Sequence, residues 1–69
     1  GWTFKKADVL PGTSITATKN GDDCYIFFGQ NCEVNGTAVS ENTTKKLTSS
    51  SVSIKNVSDK LCRLVKIYK

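Results

Sequence analysis

Cys32-Glu33-Val34-Asn35-Gly36-Thr37-Ala38-Val39 reads as two short strands joined by a two-residue turn. Asn-Gly is the dipeptide that a type I′ hairpin favours, because both central residues need positive φ. In that register Val34 pairs with Thr37 and Cys32 with Val39, all on one face, while Glu33 points the other way. The run just before it, Cys24-Tyr25-Ile26-Phe27-Phe28, is apolar on both faces. Such a strand has to be covered on both sides. Gly29-Gln30-Asn31 is expected to turn this strand into a hairpin with Cys32, setting Cys32 opposite Phe28. Further out, Thr13 to Thr18 alternates, with Ile15 and Ala17 on one face and Ser14 and Thr16 on the other, and Ser51 to Lys55 alternates again. Period-two patterning between Pro11-Gly12, Asn20-Gly21, Gly29-Gln30-Asn31 and Asn35-Gly36 turn signals predicts an all-β chain.

Two segments read less directly. Ser40 to Ser51 is Ser/Thr-rich and carries Leu47 as its one core-forming residue, so it is expected as a long surface loop or a short edge strand. Leu61, Leu64, Val65 and Tyr68 fit a helical spacing, but β-branched Val65 and Ile67 alternate with Lys66 and Tyr68, which predicts a closing strand over 61–68. The 69 residues make one domain, with 1–11 as a lead-in and 12–69 as the β core. The fold class is therefore a small antiparallel β-sandwich or jelly-roll-like domain.

Size raises a stability problem. Burying the apolar surface of so short a chain is worth about 100 kcal/mol, and ordering its backbone and side chains costs about the same. A staple, a metal or partner subunits would relieve the balance. Three cysteines, Cys24, Cys32 and Cys62, cannot form a closed set of disulfides, and the expected hairpin separates the first two by roughly 13 Å along the strand. Zinc would need better ligands than three thiols without a single His. Free thiols are the expectation, pointing to assembly in a reducing cytoplasm. No cofactor is implied.

The chain is expected to be non-enzymatic. The lack of His removes the usual general base, and no Lys stands in a recognisable spacing to a Ser nucleophile. Asp22-Asp23 lacks the further acidic positions of a calcium loop and reads as solvated turn carboxylates. Three Asn-X-Ser/Thr triplets, at Asn35, Asn42 and Asn56, are attributed to a composition rich in Asn, Ser and Thr. Lys60, Arg63, Lys66 and Lys69 recur every third residue and would divide between strand faces. That pattern suits a lysine-guarded edge strand better than a nucleic-acid stripe. No apolar run is long enough for a membrane helix, so neither nucleic acid nor membrane insertion is expected.

Gly12-Thr13-Ser14-Ile15-Thr16-Ala17, Cys24-Tyr25-Ile26-Phe27-Phe28-Gly29 and Val34-Asn35-Gly36-Thr37-Ala38-Val39, with the Ser/Thr-rich stretch and the closing Leu64-Val65-Lys66-Ile67-Tyr68, resemble the tip domains of bacteriophage tail fibres over residues 12–69. The shaft repeats that commonly adjoin such tips are not present in these residues. The resemblance implies a virion protein, assembled in the host cytoplasm, that trimerises and attaches to a bacterial cell-surface receptor such as a polysaccharide. Tyr25, Phe27 and Phe28 are the expected homotrimer interface, and Asn42, Lys45 and Lys46 the expected receptor-contact loop. Two other readings remain open: a structural capsid-decoration or scaffold module without receptor binding, and a small secreted, disulfide-containing binding domain.

Overall fold

A computed structural model describes residues 1–69 as eight strands and no helix. They are β1 (Thr3–Val9), β2 (Ser14–Thr18), β3 (Cys24–Phe28), β4 (Cys32–Val34), β5 (Thr37–Val39), β6 (Thr43–Lys46), β7 (Ser51–Asn56) and β8 (Cys62–Tyr68). Two four-stranded antiparallel sheets result, ordered β1-β8-β3-β6 and β2-β7-β4-β5. The pairs β4–β5, β3–β6, β2–β7 and β1–β8 nest around one turn. The chain is thus one long hairpin, rolled up so that β8 meets β3 and β7 meets β4. This is a jelly roll.

The turn at the tip of that hairpin is Asn35-Gly36, with φ of 48° and 85° as a type I′ turn requires. Its register is the one read from sequence, Cys32 with Val39 and Val34 with Thr37. The Asn35 side chain pins the tip to the neighbouring strand by accepting from the Ser53 amide at 2.9 Å. A Pro11-Gly12 turn, with Gly12 at φ 76° and the Thr13 amide donating to Leu10 O at 3.1 Å, carries the chain from β1 to β2.

Between the sheets lie Val9, Cys24, Ile26, Phe28, Cys32, Val39, Leu47, Val52, Ile54, Cys62 and Leu64. The alternation in β7 is complete, with Val52, Ile54 and Asn56 inward and Ser51, Ser53 and Lys55 outward. Asn56 is the one buried polar residue, and it is fully satisfied. Its amide nitrogen donates to Val9 O at 2.9 Å and Lys60 O at 2.7 Å, and its oxygen accepts from the Ser58 amide and hydroxyl. It ties β1 and the β7–β8 connection to the end of β7. Leu47 is buried, and Ser40 to Ser51 resolves into the short edge strand β6 with flanking turns.

Three expectations need correction. Residues 1–11 are not a lead-in: Thr3–Val9 form β1, paired along its whole length with β8. Gly29-Gln30-Asn31 does not close a hairpin. Both edges of β3 are taken, by β8 and β6, so the chain crosses to the other sheet. There is no room for a side chain at Gly29, since a Cβ would lie 2.7 Å from the Arg63 carbonyl oxygen. Finally, β8 is a central strand, so its basic residues guard no edge. The closing segment is a strand over 62–68, and the exposed edges of its sheet are β1 and β6.

Candidate functional site

The outward face of the β1-β8-β3-β6 sheet is unusually apolar. Registered partners in an antiparallel sheet project to the same side. Phe4, Ile67, Tyr25 and Lys46 therefore form one cross-strand row, and Lys6, Val65, Phe27 and Thr44 the next. Trp2 extends the first row, its ring centroid 6.0 Å from that of Tyr25 and tilted by 56°. Lys69 caps the same residue, with Nζ 4.9 Å from the Trp2 centroid. Trp2, Phe4, Tyr25, Thr44 and Ile67 line a shallow recess of about 460 Å³. Phe4 is 64% exposed and Trp2 46%, while Tyr25, Phe27, Val65 and Ile67 are half-buried. Beyond Phe27 the face turns polar at the Asp8–Arg63 ion pair, 3.2 Å and solvent-exposed.

The expected interface residues divide. Tyr25 and Phe27 stand on this outward face, whereas Phe28 points the opposite way and is 1% exposed in the chain's own core. Its side chain cannot meet a second copy. The reason is the period of two: adjacent strand residues never share a face. The expected receptor-contact residues do not form one loop either. Asn42 occupies the turn before β6 with φ 59°, its amide donating to Phe28 O at 2.7 Å. Lys46 pairs with Tyr25 and flanks the aromatic row, while Lys45 pairs with Ile26 and projects to the other side.

No family model, curated protein or solved structure matches the chain significantly.

Sequence reading missed Trp2, Phe4, Val65 and Ile67 as members of this surface. The signal was present. Trp2 and Phe4 alternate with Thr3 and Lys5, the same pattern that marked β2 as a strand.

The three thiols are free, as expected, but the contact between two of them was not foreseen. All three are buried and unbridged. Cys32, from one sheet, and Cys62, from the other, meet across the core with their sulfurs 3.5 Å apart. Burial, then the hydrogen bond and charge repulsion from Cys62, push the Cys32 thiol from 9.0 up to about 12. At neutral pH it is protonated and no nucleophile. No group of three or more His, Cys, Asp or Glu residues is gathered as metal ligands would be. What this arrangement offers is a flat hydrophobic surface with basic edges, suited to association.

Proposed function

We propose that the chain is a non-enzymatic virion surface module, the tip domain of a phage tail fibre, that works as a homotrimer and attaches to a polysaccharide receptor on the bacterial cell surface. One observation carries this reading. Six apolar side chains, Trp2, Phe4, Tyr25, Phe27, Val65 and Ile67, share one outward sheet face in a chain of only 69 residues. A monomer of this size has little reason to expose such a face, and a contiguous apolar patch usually marks an interaction surface. Self-association would bury it and supply the stability that so small a core lacks. The jelly roll supports the reading by analogy, since that architecture recurs in viral capsid and lectin domains. A net charge of +4 suits an anionic cell surface. Two measurements test the reading: the mass of the chain in solution, and whether it competes with virions for adsorption to host cells. A monomer that does not compete would overturn it.

A second reading is favoured by the Cys32–Cys62 contact. A bridge there would staple the two sheets of a small secreted binding domain. A thiol count on natively produced protein separates the two, with three free thiols for virion assembly in a reducing cytoplasm and one for secretion.

A further inference from the structure

We infer that the open end of the sandwich, where Lys5, Lys19 and Lys66 converge, is a binding site for an acidic saccharide. The inward-facing positions of β8 run Cys62, Leu64, Lys66, Tyr68, so the space between the sheets changes from apolar to basic along a single strand. Lys66 pairs directly with Lys5 of β1, on that same inward side. Across the opening, Lys19 and Asn20 come from the end of β2, and Lys69 closes the rim. Together with Thr18, Gly21, Asp23, Cys24 and Tyr68 they enclose a cleft of about 320 Å³. That volume lies at the small end of the range of ligand sites.

The charge in this cleft is unbalanced. Three lysines, Lys5, Lys19 and Lys66, face a single acid, Asp23, while the Lys69 ammonium lies over Trp2, and the chain's one ion pair is Asp8–Arg63 at another part of the sheet. Like charges directly opposite one another in an antiparallel pair are destabilising. Lys66 and Lys19 are also half-buried, their aliphatic stems packed along the opening. A marginal domain that accepts this cost gains from it when an anion is bound, and violations of local sequence rules concentrate at functional sites. The frame around the lysines is fixed by the backbone: Lys19 N donates to Ser50 O at 3.0 Å and Lys69 N to Asp23 O at 3.1 Å.

The surroundings define the ligand. Next to the cleft, and sharing Lys5, Thr18 and Lys66 with it, is a slot of about 170 Å³ whose walls include Ile15, Ala17, Ile26 and Leu64. A ligand spanning both would place an oxyanion among the lysines, hydroxyls against Thr18 and Asn20, and a C–H face against the aliphatic wall. A sugar bearing a carboxylate, sulfate or phosphate has these three properties. Nucleic acid fits less well. The lysines converge on one pocket rather than tracking a backbone, and the Tyr68 ring, the one aromatic in the cleft, is capped by Lys66 Nζ at 4.9 Å and closed to base stacking. The saccharide identity rests on the attachment reading above; the anion site rests on the cleft alone.

The test is an amide-resolved NMR titration of the chain with a short oligogalacturonate, with a neutral maltooligosaccharide of the same length, with inorganic sulfate and with a short single-stranded oligonucleotide. The acidic saccharide should shift Lys5, Lys19, Asn20 and Lys66, the neutral one should not, and sulfate should shift the same residues more weakly. Lys5→Gln and Lys66→Gln should each weaken binding by roughly tenfold or more, as the loss of one charge-assisted hydrogen bond implies, with the thermal midpoint unchanged or raised. Lys55→Gln, on the outer face of the other sheet, should bind as the wild type does. Equal binding of the neutral sugar, shifts elsewhere, preference for the oligonucleotide, or an equal loss in Lys55→Gln would overturn the site. Intact saccharide binding with no competition for host cells would leave the cleft standing and remove the attachment reading.

Discussion

Oxidation of the Cys32–Cys62 pair should raise the stability of the chain by about 3.6 kcal/mol. The two residues are separated by 30 positions, and their sulfurs already touch across the core. Closing a loop of that length in the unfolded state removes about 12 cal/mol/K of chain entropy, which at room temperature gives the figure above. For a domain of this size the gain is comparable to the whole expected stability of roughly 3–10 kcal/mol. The oxidant can be a small-molecule disulfide: two exchange steps join the sulfurs, and the reagent leaves as two thiols. With Cys32 at about 12 and buried, exchange at neutral pH must pass through local opening and will be slow. Urea denaturation before and after equilibration measures the gain, and thiol labelling of the denatured chain should fall from three groups to one. Cys24→Ala should keep the gain and Cys62→Ser should lose it. A bridge that includes Cys24, or an oxidised chain no more stable than the reduced one, would refute the cross-sheet geometry.

Other expectations follow from the same packing. In the reduced chain the Cys32 thiol is held neutral above its unfolded value of 9.0, so it supports the fold below about pH 9 and that support fades as pH rises through 9 to 12. Against Cys32→Ala, wild type should lose up to ~1.4 kcal/mol more per pH unit across that window, read by denaturation at each pH. Asn56→Ala should cost more than about 3 kcal/mol, because the Val9 and Lys60 carbonyls lose their donor in the core. Gly36→Ala should cost more than ~1 kcal/mol through its positive φ, and Gly29→Ala more still, since backbone rather than a yielding side chain meets the new Cβ. Thermal or urea unfolding reads both.

The fold was legible in sequence where local chemistry acts alone. The Asn35-Gly36 turn, the alternation of β2 and β7, and the two-sided apolar character of β3 need no tertiary knowledge, and each appears as read. What failed was partner choice. A short Gly-containing link such as residues 29–31 can either fold a strand back or carry it across a sandwich, and only competition for the edges of β3 decides between them. The same limit hid the Cys32–Cys62 pair, which forms between residues of different sheets. β1 was overlooked because its lysines, Lys5 and Lys6, resemble a polar leader; in the sheet one faces the basic cleft and the other the aromatic face. The surface site was half visible. Tyr25 and Phe27 were identified from their own strand, but Phe4 and Ile67 join them only through the register of three strands.

Sedimentation equilibrium at micromolar concentration decides whether the outward face of the β1-β8-β3-β6 sheet joins three copies of the chain, as proposed. The mass should be near three times 7.5 kDa, and Phe27→Asp or Phe4→Asp should shift it to that of one chain with much of the β structure lost. A folded, stable monomer of 7.5 kDa in the wild type, with Trp2 and Phe4 open to solvent, would contradict it.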